Sequence, residues 1–119
     1  MTESARRVAL VNDASGYVGP ALARELARRG PDLVLGSPAE GHVADLTVLG
    51  AAVETVDGAR NLARPESAPA LVAAALGRFG RLDAAAAFSG QIIPGNFMDS
   101  SPEDLHRLVE GCIEAPYRF

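Results

Sequence analysis

No lysine occurs in this sequence of 119 residues; all eleven basic residues are arginines. A Schiff base, or a tyrosine assisted by a neighbouring ammonium group, therefore cannot be built from these residues alone. The only cysteine is Cys112, so no internal disulfide can form, which agrees with a reducing compartment. There is no apolar run long enough to cross a bilayer, and Met1 to Arg7 lack the apolar centre of a signal peptide. The expected location is cytoplasmic, with no membrane partner. A net charge of −4, with the arginines scattered along the chain, leaves no electrostatic footprint for nucleic acid. No low-complexity tail or long charge run is present, and hydrophobic residues make up 48%, as in a folded protein. His42 has no His, Cys or Glu neighbour at ligand spacing, so it is expected on the surface, and no metal site is expected.

The chain is organised around Arg7 to Gly30. Val8-Ala9-Leu10-Val11 is a short apolar run suited to a strand buried on both faces of a parallel sheet. The turn Asn12-Asp13-Ala14-Ser15-Gly16-Tyr17-Val18-Gly19 follows, and Pro20 opens a helix that Gly30 stops. Strand, glycine turn and helix together open a nucleotide-binding α/β unit. A dinucleotide fingerprint requires glycine where backbone meets pyrophosphate, and Tyr17 stands at that place. Its ring is expected to fill the cofactor's space and leave a pocket for a small anion and an organic substrate, with Gly19 closing the helix onto the strand. Alternatively, Tyr17 points away and the site is an eroded dinucleotide site.

Farther along, Asp32–Gly36 reads as a second strand that ends in Gly36-Ser37-Pro38, with neither the acid nor the arginine that selects a cofactor ribose. A short helix is expected over Gly41–Gly50 and a third strand over Ala52–Val56, ending at Asp57-Gly58. Ser67 is placed to cap a helix whose apolar stripe is Leu71, Val72, Ala75, Leu76 and Phe79. Arg81 to Phe88 is expected to form the fourth strand, alanine-rich and flanked by Gly80 and Gly90. The loop from Ser89 to Ser101 carries an apolar wall of Ile92, Ile93, Phe97 and Met98, either the side of a pocket or a subunit contact. Ser101, Pro102 and Asp104 announce the last helix, with Leu105, Leu108, Val109, Cys112 and Ile113 on one stripe. Cys112 is expected to be a buried thiol on that stripe, His106 to be solvated, and Pro116 to interrupt the helix.

These pieces resemble the short-chain dehydrogenase/reductase superfamily across essentially the whole chain: the opening unit, Arg78-Phe79-Gly80-Arg81-Leu82-Asp83 before the fourth strand, and a capped helix after a loop. The resemblance implies an α/β fold, a Rossmann-like doubly wound parallel sheet. Residues 1–119 would supply its first four strands as the N-terminal part of a single domain. The superfamily's Thr-Gly-x-x-x-Gly-x-Gly becomes Asn12 to Gly19, its Asn-Asn-Ala-Gly becomes Ala87-Phe88-Ser89-Gly90, and a helix asparagine is replaced by Cys112.

Within the superfamily the chain looks most like the halohydrin dehalogenases, which carry Thr-x4-Phe/Tyr-x-Gly where this chain has Asn12, four residues, Tyr17, Val18 and Gly19. That likeness implies a lyase without nicotinamide that interconverts vicinal haloalcohols and epoxides plus halide. Asn12, Tyr17, Gly19, Phe88, Ser89, Gly90 and Ile92 would frame the halide and substrate pocket. The catalytic triad would lie beyond Phe119. The competing implication is an NAD- or NADP-dependent alcohol or keto oxidoreductase with a divergent motif, its cofactor touching Asn12, Gly16, Gly19, Ser37, Asp57 and Gly90. A non-catalytic subunit that keeps the fold for assembly is the third. The fourth strand is expected at a sheet edge that pairs with the rest of the domain or with a complementary chain. Resemblance further implies a homotetramer.

Overall fold

A computed structural model describes residues 5–90 and 92–119, so Met1 to Ser4 and Gln91 lie outside the described residues. Four strands form one parallel sheet: β1 (Val8–Val11), β2 (Asp32–Gly36), β3 (Val53–Val56) and β4 (Ala84–Ala86), in the order β3-β2-β1-β4. β1 pairs with β2 from Val8 opposite Asp32 to Val11 opposite Leu35, and with β4 from Ala9 opposite Ala84. Crossover helices α1 (Gly19–Arg29), α2 (His42–Val48) and α3 (Ser67–Phe79) connect the strands. The chain continues through a 3-10 turn (Phe97–Asp99), α4 (Pro102–Val109), a π-helical turn (Glu110–Glu114) and α5 (Ala115–Arg118).

Alternation along β1 divides the core in two, because successive side chains of a strand point to opposite faces. Val8 and Leu10 join Val34, Leu71, Ala75 and Phe79 under α3, whereas Ala9 and Val11 join Leu33, Leu35, Ala23, Ala27 and Leu46 under α1 and α2. This is the doubly wound arrangement expected. Each fully buried leucine contributes about 2 kcal/mol through removal from water, so the paired central strands β1 and β2 are the stable heart of the chain. Arg6 closes the opposite end of the sheet, donating to the carbonyls of Gly30 (2.7 Å) and Gly50 (2.6 Å) and pairing with Asp32 at 3.4 Å.

Two glycines are required by close approach. A Cβ on Gly19 would overlap the Asp13 carbonyl, and one on Gly36 would overlap the Asn12 carbonyl. Gly30, with φ of 114°, ends α1 in the left-handed conformation that its sequence position predicts.

Several expectations are corrected. Ser67 does not cap α3: its hydroxyl donates to the Asn61 carbonyl at 2.7 Å, it is buried, and Glu66 holds the cap position. Leu76 is 51% exposed, outside the stripe that Leu71, Ala75 and Phe79 bury. His42 is buried because it shares with Leu46, four residues on, the face of α2 that turns inward; its Nε2 has no partner among the described residues.

The last helix differs most. Its start is as expected, with the Ser101 hydroxyl accepting from the Asp104 N–H at 3.2 Å and the Asp104 carboxylate accepting from the Ser101 N–H at 3.0 Å. Yet α4 buries none of its residues, Leu105 and Ile113 are exposed, and Cys112 is exposed rather than a core thiol. Amphipathic spacing creates an apolar face but does not supply the surface that covers it. Pro116 does not break the helix. The wide turn before it, with the Ala115 N–H donating back to Glu110, precedes the residue that cannot donate, and α5 continues from there. Ala115 and Phe119 then pack on the α3 side of the core.

Candidate functional site

The carboxyl ends of β1 and β4 open into a groove of about 940 Å³, the place where parallel α/β sheets keep their ligands. Three loops and the π-helical turn line it. The turn after β1 contributes Asp13, Tyr17 and Val18, and the loop after β3 contributes Arg60 to Ala63. Ala87 to Gly90 and Ile92 come from the chain leaving β4, and Gly111 and Cys112 come from the π-helical turn.

Asn12 does not line the groove. It is fully buried beneath it, and its side chain is committed to backbone: Nδ2 donates to the carbonyls of Arg60 (2.8 Å) and Phe88 (2.9 Å), and Oδ1 accepts from the Phe88 N–H (2.6 Å). One amide thus ties the ends of β1 and β4 to the loop after β3 and fixes the groove's floor. A terminal amide suits this task because it donates twice and accepts at the same time.

Above it, the turn is organised by Asp13. One carboxylate oxygen accepts from the N–H groups of Ser15 (3.2 Å) and Gly16 (3.0 Å), and the other pairs with Arg60 at 3.0 Å. Asp13 is buried, whereas the Arg60 side chain is 55% exposed. Gly16 is pressed between them, with a Cβ there only 3.0 Å from Arg60 and from Asp13.

Tyr17 stands on the rim. Its φ of 52° is left-handed, and the residue is 85% exposed. A left-handed residue turns its Cβ away from the direction a right-handed one would take, so the ring lies outside the turn instead of in it. Gly19 sits inside the turn against Asp13, and Gly90, with φ of 122°, lies on the groove wall near Cys112. Ser37 and Asp57 are set apart from the groove lining. Ser37 is also left-handed, with φ of 45°, and its hydroxyl accepts from the Gly58 N–H at 3.1 Å; Asp57 is exposed at the end of β3. Of the apolar loop, Ile92 lines the groove, while Phe97 and Met98 are 90% and 87% exposed.

Sequence reasoning missed Asp13 and Arg60. An Asp two and three residues before a serine and a glycine is a turn signal whose carboxylate meets those N–H groups, so Asp13 was open to discovery. Arg60 carried no such signal, since nothing local tells which acid, 47 positions earlier, it will meet. Among the described residues, no group of side chains is arranged to hold a metal ion, and no helix is long and apolar enough to cross a membrane.

No family model matches the sequence. An uncharacterized oxidoreductase of Mycobacterium tuberculosis is 32% identical over 111 residues, covering 91% of this chain and 40% of that protein. A 3-oxoacyl-[acyl-carrier protein] reductase from Brucella melitensis superposes with a TM-score of 0.81 at 27% identity, over 98% of this chain and 48% of that one. Its complex with NAD superposes at 0.79 with 28% identity, over 95% and 46%. A putative dehydrogenase from Burkholderia cenocepacia with bound NADP has the same fold, at a TM-score of 0.81 and 20% identity over 98% and 46%. The chain thus spans less than half the length of the relatives that it matches.

These findings overturn the expectation of a cofactor-free halohydrin dehalogenase. The similar proteins are oxidoreductases, and one of those at more than a quarter identity is a complex with NAD. The physical reason lies at Tyr17: a ring taken from the sequence to occupy the diphosphate's place is instead turned to solvent.

Proposed function

We propose that this chain belongs to the short-chain dehydrogenase/reductase superfamily and that the whole protein is an NAD- or NADP-dependent oxidoreductase to which it contributes the nucleotide-binding half. The observation that carries the reading is an open groove over β1 and β4, with Tyr17 on its rim and 85% exposed. The residues present fit such a cofactor: the groove of about 940 Å³ has both polar and apolar walls, Gly19 lets helix and turn approach closely, and Gly90 presents bare backbone on the wall. Gly16 and the turn would face the phosphates, Ser37 and Asp57 the adenosine end, and Phe88, Ser89, Gly90 and Ile92 the remainder. When bound, the nicotinamide ring supplies or accepts the hydride. The chain's own part is to orient that ring and keep water from it, with Asn12 holding the walls at a fixed spacing.

The sheet supports a second element of the proposal. β4 lies at an edge, and Ala84 and Ala85 are exposed, so further strands of the domain or a complementary chain would pair there.

Fluorescence titration of the intact protein with NADH and NADPH tests the cofactor reading. A dissociation constant within about 1 µM–1 mM, the ordinary enzymatic range, supports it. Absence of binding to both nucleotides across that range would sink it.

A further inference from the structure

We propose that Arg60 is the residue that holds a phosphate of the cofactor, and that Asp13 is a built-in counter-ion against which that phosphate must compete. The proposal rests on the nucleotide reading above.

At a glycine turn leading into a helix, backbone N–H groups are ordinarily left for an incoming anion. Here two of them, on Ser15 and Gly16, already donate to the Asp13 carboxylate, and the Ser15 hydroxyl donates to it as well at 3.3 Å. Pro20, in the first turn of α1, has no N–H to offer. Two of the turn's N–H donors are therefore already taken by an anion of the chain's own. A diphosphate or a 2′-phosphate approaching this place meets a buried negative charge. Of the described residues lining the groove, Arg60 alone carries a positive side chain. Its Nε is on Asp13 and its side chain is 55% exposed, so the guanidinium has further N–H groups with which to take phosphate oxygen. The cation is thus anchored on one side and available on the other.

The two residues have opposite expected effects, which gives the proposal its test. In the intact protein, Arg60→Gln is expected to weaken NADH or NADPH by about tenfold, the loss that follows from one charge-assisted phosphate contact. Asp13→Asn keeps an oxygen for the Ser15 and Gly16 N–H groups but removes the charge, and is expected to tighten the same nucleotide several-fold. Arg60→Lys, which retains the charge, should recover part of the affinity lost in Arg60→Gln. Adenosine, which has no phosphate, should bind wild type and all three variants alike. A change confined to NADPH assigns the 2′-phosphate; a change shared with NADH assigns the diphosphate. If nucleotide binds wild type but Arg60→Gln leaves its affinity unchanged, or adenosine weakens in parallel, Arg60 has no phosphate role. Should Asp13→Asn weaken binding as Arg60→Gln does, the pair is a structural clamp and the competition is disproved. If wild type and every variant bind neither dinucleotide, the cofactor reading itself has failed and this inference falls with it.

Discussion

Asn12 and Phe88 exchange hydrogen bonds in both directions, the Asn12 amide donating to the Phe88 carbonyl at 2.9 Å and accepting from the Phe88 N–H at 2.6 Å. With the further bond to the Arg60 carbonyl, a single buried side chain sets the distance between the two walls of the groove.

Asn12→Ala is accordingly expected to destabilise the intact protein by about 3 kcal/mol, because it strands the half-buried Phe88 N–H, removes partners from two carbonyls and empties a buried side-chain site. Asn12→Asp keeps the acceptor but loses both donations, so it should be of comparable cost. Urea unfolding of the three proteins checks this. A loss under about 0.5 kcal/mol, the range of ordinary surface substitutions, would show that the clamp is dispensable.

Gly19 and Gly36 both face backbone carbonyls that a methyl group would overlap. Replacing either by alanine is expected to cost about 3 kcal/mol or more, since backbone cannot yield as a side-chain tip can. Gly77, inside α3 with nothing within 4 Å of a Cβ, is the contrast. Gly77→Ala should stabilise by about 0.5–1 kcal/mol. Equal shifts in melting temperature for the three variants would contradict the steric argument.

The Asp83 carboxyl is held below its ordinary range, first by the hydrogen bond from Arg81 and then by the N–H of Val8. A folded-state value lower than the unfolded one means that ionisation favours the fold. That contribution is complete above the unfolded carboxylate value of about 4 and is lost as the pH falls through the lower folded value. Asp83→Asn should therefore be less stable than wild type at neutral pH, and the gap should narrow on acidification below about pH 4. A gap of constant size from neutral to acid, followed by circular dichroism, would remove the electrostatic part of this account.

Cys112 is exposed on the groove wall. Alkylation of the intact protein by iodoacetamide is expected to slow in proportion to nucleotide occupancy when NADH or NADPH is added. Protection without any measured nucleotide binding, or full occupancy without protection, would place Cys112 outside the cofactor's path.

The open edge at β4 leads to a prediction for the 119 residues expressed alone. Exposed strand backbone and the uncovered face of α4 should drive self-association, visible as early elution in size-exclusion chromatography. A well-folded monomer at high concentration would show that the edge and the face need no cover.

Local chemistry made much of the fold legible. The valine and leucine runs of β1 and β2, the stop at Gly30 and the reciprocal cap between Ser101 and Asp104 each depend on neighbours a few residues away, and each is where the sequence puts it. Of the residues expected around the pocket, Tyr17, Phe88, Ser89, Gly90 and Ile92 line one groove, whereas Asn12 and Gly19 do not line it. What the residues do there was not legible, because contacts such as Arg60 to Asp13 and Asn12 to Phe88 join positions far apart in the chain.

The sequence by itself determined the apolar runs of β1 and β2, the Gly30 stop and the Ser101–Asp104 cap, since these follow from bonds and preferences within a turn or two of backbone. The tertiary structure alone decided on which side of the turn the Tyr17 ring lies, that His42 is enclosed, and that Cys112 faces outward. A side chain's chemical type is local, but its surroundings are assembled from distant segments, and a site's function depends on those surroundings.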